Sequence, residues 1–101
     1  MKNHIESAPL IFNEAEKQFE INTDSHVAFI EYTMKGNKIF LTHTEVPKAL
    51  EGQGVGSALV KKTLQHIKDH NMILVPSCSF VANYIDKHPE WQSILSEGYQ
   101  M

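Results

Sequence analysis

The sequence predicts a mixed α/β domain of the α+β kind, and three observations carry that expectation. Apolar and polar residues alternate with a period of two through the first half, as they do in half-buried strands. A Gly-rich turn at residues 51–56 then hands over to a segment with helical spacing, and four consecutive apolar residues, Met72 to Val75, follow it. A chain of 101 residues has room for one domain. With 42% hydrophobic residues, 21% charged residues, five Gly and four Pro, the composition is globular and excludes collagen-like, coiled-coil and fully disordered classes.

Residues 1–14 show no clear period and are expected to form a loosely ordered arm. From Lys17, Phe19 and Ile21 alternate with Gln18, Glu20 and Asn22, and Thr23-Asp24 supplies a turn. His26 to Met34 is rich in β-formers. Lys35 to Lys38 makes a tight hairpin around Gly36 and Asn37, and Ile39 to Val46 returns, giving an antiparallel three-strand meander that Pro47 ends.

Beyond the glycines, Val55, Leu59, Thr63 and Ile67 recur at i, i+4, flanked by Ala58, Val60 and Leu64, while Lys61, Lys62, Gln65 and Lys68 fall outward. This is one amphipathic helix of about four turns, closed near Asn71, a residue suited to a left-handed cap. Met72 to Val75 reads as a short strand buried on both faces, stopped by Pro76. Ser77 is placed to cap a helix from Cys78 to His88 that buries Phe80, Val81, Tyr84 and Ile85. Pro89 starts a shorter helix whose Trp91, Ile94 and Leu95 close the core, and residues 96–101 form a tail.

Net charge is −3, and all nine basic residues are lysines. Without arginine or a basic surplus, nucleic acid is not the expected partner, and any bound phosphate must be held by backbone N–H groups and lysines. Cys78 is the only cysteine, which excludes an internal disulfide and points to a reducing compartment. The first residues hold no apolar run and no segment reaches 18 apolar residues, so the chain is expected in the cytoplasm, away from membranes.

Gly52, Gly54 and Gly56 alternate where strand gives way to helix. They either make a tight turn or open the backbone to an anion bound at the helix N-terminus. A nucleotide-triphosphate loop would need Gly-Lys-Ser/Thr, and Gly56 is followed directly by Ser57. A dinucleotide fold would begin with a parallel βαβ unit, whereas this strand belongs to an antiparallel meander. Cys78, at a strand–helix junction, is either a small buried hydrophobe or a nucleophile favoured by the helix N-terminus. His43 and Glu45 share one face of their strand and could take a proton, or simply be solvated. His66 and His70 have HxxxH spacing but no acidic residue between them, so they are expected to be solvent-exposed and to bind no metal. His88 is expected to pair with Glu90 or cap the preceding helix.

With these segments in hand, the chain resembles the GNAT superfamily, the GCN5-related N-acetyltransferases, and within it the small, single-domain, cysteine-containing branch. The family signature Gln/Arg-x-x-Gly-x-Gly/Ala reads here Glu51 to Gly56, with both glycines matching and Glu51 departing from it. His43 to Pro47, Pro76 to Val81, Tyr84 and His88-Pro89 extend the resemblance over roughly residues 16–95. It implies a minimal acyl-CoA N-acyltransferase fold, with the strand 72–75 splayed from the strand 39–46. It also implies acetyl-CoA as cosubstrate and an amine of a small molecule, peptide or protein as acceptor. The pantetheine arm would bind the backbone near Thr44 to Val46, and the pyrophosphate the N–H groups of Gln53, Gly54, Val55, Gly56 and Ser57, with Lys61 or Lys62 adding charge. Glu45 or His43 would be the base, Tyr84 the acid for the leaving thiolate, and Cys78 a possible acyl carrier. The paired helices and closing strands that wall the acceptor pocket in larger members are absent from this chain. The alternative implied by Glu51 and those missing walls is a CoA-binding regulatory module with little turnover. A redox-sensing thiol protein is a third reading, which leaves the glycines unexplained.

Overall fold

A computed structural model of the protein describes residues 9–23, 26–52 and 54–95. Its elements are β1 (Ile11–Asn13), β2 (Gln18–Asn22), β3 (Val27–Lys35), β4 (Lys38–Glu45), a 3-10 turn (Lys48–Leu50), α1 (Val55–Asp69), β5 (Ile73–Pro76), α2 (Ser79–Lys87) and a second 3-10 segment (Pro89–Ile94). The five strands form one sheet in the order β1-β2-β3-β4-β5, antiparallel except that β5 runs parallel to β4. The fold class expected from sequence is the one observed. Among the described residues no helix is long and apolar enough to cross a membrane.

The period of two sets the sheet's inner face. Phe19 pairs with Ile30, Ile21 with Ala28 and Tyr32 with Leu41, and all six are buried. Lys35 and Lys38 face each other across a two-residue turn in which only Gly36 takes positive φ, 63°, the type II′ arrangement. At the other end of β3, the Thr23 N–H donates to the His26 carbonyl at 2.9 Å. Asp24 of that turn lies outside the described residues, as do residues 1–8, Gln53 and the 96–101 tail.

The meander has four strands rather than three. Ile11–Asn13, expected in the loose arm, pair with β2, and Phe12 stacks on Phe19 with ring centroids 5.0 Å apart. A three-residue strand shows no readable period; it forms because one aromatic ring finds an inner-face partner. Helix α1 covers that inner face through Val55, Leu59, Val60, Thr63, Leu64 and Ile67, all buried, and Asn71 beyond it takes the left-handed conformation, φ 56°.

Of the HxxxH pair, His70 is exposed as expected, but the expectation for His66 needs correcting. His66 is half-buried against Phe12 and Phe19, with centroids 4.9 and 5.2 Å away, and His70 stacks on it at 4.0 Å. Its Nε2 is buried with no hydrogen-bond partner. Burial, then the neighbouring His70, holds its pKa below the usual histidine value, with Asp69 acting in the opposite direction.

Strand β5 spans Ile73–Pro76, one residue later than the 72–75 expected; Pro76 is tolerated as the last residue of a short strand. On its far side Leu95 bridges to Leu74, and Trp91 and Ile94 are buried, so the C-terminal segment does close the core. Helix α2 starts at Ser79 with Cys78, not Ser77, in the N-cap position, and neither it nor α1 has a side-chain cap. Val81 and Ile85 are buried and Tyr84 half-buried as expected, but Phe80 is 42% exposed.

Candidate functional site beyond the end of β5

Two features of β4 shape the site. Parallel pairing with β5 runs from Lys38↔Ile73 to Leu41↔Pro76 and stops there, while β4 continues to Glu45. Strand β5 itself ends at Pro76, so the last four residues of β4 have no strand neighbour on that edge and border a gap. The second feature is a β-bulge. Leu41 pairs with Tyr32 and His43 with Glu31, so Thr42 has no residue opposite it, and its hydroxyl donates to the Glu31 carbonyl at 3.3 Å.

The bulge resets the alternation of side chains. Without it, Leu41 facing inward would bring His43 and Glu45 inward too. With it, Thr44 pairs with buried Ile30 and takes the inner face, and His43 and Glu45 turn to the opposite, open one. The Thr44 hydroxyl lies 3.2 Å from the Cys78 sulfur, joining β4 to the start of α2 across the gap. On the open face, His43 Nε2 and Glu45 Oε1 are 3.0 Å apart, both side chains about half exposed (54% and 55%). These two share a face, as the sequence implied, and they also contact each other, which orients the imidazole against the carboxylate.

Above the gap, the Gly-rich turn is built from two different needs. Gly52 and Gly54 have φ of 83° and 79°, a conformation that side chains rarely adopt, and no atom lies within 4 Å of where their Cβ would be. Gly56 has ordinary φ but no room: a Cβ there would stand 2.5 Å from Cζ of Phe80. The first bond of α1 joins the Ala58 N–H to the Gly54 carbonyl at 3.0 Å, so the N–H groups of Val55, Gly56 and Ser57 have no acceptor within the helix. These three residues help line a cavity of about 320 Å³ whose apolar wall is Val46, Leu50, Val55 and Phe80, with Glu51, Gly52, Gly54, Gly56 and Ser57 completing it.

The sequence-derived residues thus fall into three groups. Thr44 meets Cys78 in the gap, His43 meets Glu45 on the open face, and Val46, Gly54, Val55, Gly56 and Ser57 line one cavity. Tyr84 joins none of them: its ring stacks on His88 at 4.1 Å, and His88 Nδ1 donates to the Tyr84 carbonyl at 2.9 Å, capping α2 in one of the two roles expected of it. Burial, and secondarily Glu90, raises the Tyr84 phenol above its usual value, so it keeps its proton. Sequence reasoning missed Leu50 and Phe80. Phe80 carried a signal only in hindsight, as a large ring two positions after Cys78 with a glycine-rich helix start to lean on.

A family model for GCN5-related N-acetyltransferases matches residues 18–94. The chain belongs to that family. Curated relatives of this N-acetyltransferase-family chain include Protein NATD1 of Xenopus tropicalis, 29% identical over 66 residues, which is 65% of this chain and 60% of the relative. Human Protein NATD1 is 30% identical over 63 residues, 61% of this chain and 56% of the relative. The match therefore spans less than two thirds of the length of those relatives. Among solved structures, the NMR solution structure of a GCN5-like protein from Staphylococcus aureus aligns with a TM-score of 0.68 and 29% identity, covering 92% of this chain and 95% of the other. The family match spans β4, the Gly-rich turn and Cys78.

Proposed function

We propose that this chain transfers an acetyl group from acetyl-CoA to the amine of a small molecule, peptide or protein. The observation that carries the reading is the uncapped start of α1 at an apolar-walled cavity, next to the stretch of β4 beyond the end of β5 where Thr44 meets Cys78. Three N–H groups without helical acceptors, at the positive end of a 15-residue helix, suit a pyrophosphate. The open space around Gly52 and Gly54 leaves that approach clear, and the wall of Val46, Leu50 and Phe80 suits an aliphatic pantetheine arm. Among the described lining residues, Glu51 is the one that works against an anion.

In this scheme Glu45, paired with His43, accepts the proton of the incoming ammonium, and the free amine attacks the thioester carbonyl. The carbon–sulfur bond breaks, and the departing thiolate is protonated by water, since Tyr84, expected as the acid, is stacked on His88 instead. In the covalent variant, Cys78 attacks first, holds the acetyl group as a thioester, and passes it to the amine. The exposed Glu51 favours a second reading, a CoA-binding module with little turnover.

Radiolabelled acetyl-CoA decides among these. CoA release accelerated by spermidine or a lysine-containing peptide, with label on the amine, supports transfer. Activity kept in Cys78→Ala selects direct attack, and label trapped on Cys78 in the absence of amine selects the covalent route. Binding of acetyl-CoA with no transfer to any acceptor refutes catalysis in favour of the module.

A further inference from the structure

The amphipathic pattern of α2 calls for Phe80 inside, yet it is the helix's exposed aromatic residue, at 42%, and it is not idle there. Its ring rests on Gly56 in the first turn of α1, where even a methyl group would collide with it, and it forms part of the cavity wall together with Val46 and Leu50. Cys78, two residues earlier, is the N-cap of the same helix and sits half-buried against Thr44. The contact between Phe80 and Gly56 therefore joins the two helix starts that flank the gap.

We infer that Phe80 is a positioning residue: its ring, seated on Gly56, fixes the first turn of α2 against the first turn of α1 and so sets where the Cys78 sulfur stands in the gap. The inference deepens the reading of the preceding section and rests on it for its functional meaning. Its structural content stands separately. Buried Val81 and the Cys78–Thr44 contact tie the first turn of this uncapped helix to the sheet, and Phe80 supplies its contact with α1; loss of that contact loosens the turn locally without unfolding the domain. If the cavity takes a pyrophosphate, occupancy beside Gly56 acts on the same ring and is felt at the sulfur.

Cys78 is the only cysteine, so alkylation by iodoacetamide read by intact mass reports on it alone. Removing the ring in Phe80→Ala, or displacing it with a Cβ in Gly56→Ala, is expected to speed alkylation about fivefold. Phe80→Tyr, which keeps the ring, is expected to stay within about twofold of wild type. So is Ile21→Ala, which lowers global stability from a buried site on β2 without touching the contact. Equal rates in all variants overturn the inference, as does acceleration in Ile21→Ala matching that of the ring variants. Should Phe80→Ala not fold, Gly56→Ala and Phe80→Tyr decide by the same criteria. ADP carries a pyrophosphate but no pantetheine arm to cover the sulfur, so it separates the two readings. It is expected to change the rate in wild type and not in Phe80→Ala; an equal effect in both overturns the positioning role. No ADP effect in either, with the ring variants still fast, supports the positioning role and refutes the anion cradle.

Discussion

Replacing His66 with methionine should make the protein more stable, and increasingly so as the solution is acidified. The buried Nε2 of His66 has no partner, and a buried polar group left unpaired costs about 1–3 kcal/mol. Methionine nearly conserves the volume, has good helix propensity, and places a polarisable sulfur against the rings of Phe12 and Phe19. At pH 7.5 the expected gain is about 1 kcal/mol. The acid dependence follows from linkage. Burial and then His70 lower the folded-state pKa of His66, so below the unfolded value near 6.5 the unfolded chain binds a proton that the folded chain resists. That contribution is fully present above the unfolded value and is lost as pH falls toward the folded one, by at most about 1.4 kcal/mol per pH unit. Between pH 7.5 and 5.5 the advantage of His66→Met should therefore widen by up to about 1.4 kcal/mol, or roughly 5–10 °C in melting temperature for a domain of this size. Urea or thermal denaturation at both pH values measures it. A variant less stable at pH 7.5, or an advantage that does not grow on acidification, refutes the account of a buried, unpaired imidazole.

Two further outcomes follow from the turn before α1. Glu51→Gln should tighten CoA binding roughly two- to fivefold at low salt, measured by calorimetry, because it removes a like charge from an exposed rim, and the gain should fade at 1 M salt. Gly54→Ala should lower stability by about 1–2 kcal/mol in chemical denaturation, the cost of a left-handed backbone with φ 79° and no clash to relieve, with Gly54→Asn costing less; equal costs for Ala and Asn would contradict that reading.

What could be read along the chain was whatever depends on neighbours in sequence. The alternation at Phe19–Ile21, the turn at Gly36, the i, i+4 series from Val55 to Ile67 and the left-handed residue Asn71 are properties of a few consecutive residues, and each appears where the pattern places it. The glycines announced an unusual loop, but they conceal two causes. Gly52 and Gly54 answer to their own torsion angles, whereas Gly56 answers to a ring 24 positions away.

His43, Thr44 and Glu45 make the same distinction sharply. That neighbours alternate is dictated by strand geometry; which of them faces the core is not. The unpaired Thr42 settles it, and a bulge is a property of two strands in register, invisible in either one alone. The same reason hides β1, whose three residues become a strand only because Phe12 reaches Phe19 and His66, and it hides the burial of His66. The sequence by itself determined every strand but β1, both α-helices, their order and the chemistry available to them, since these follow from backbone preference and periodicity over a few residues. Only the tertiary structure decided which side chains meet, Thr44 with Cys78 and Phe80 with Gly56, because contacts between distant segments depend on register and packing, which no local pattern encodes.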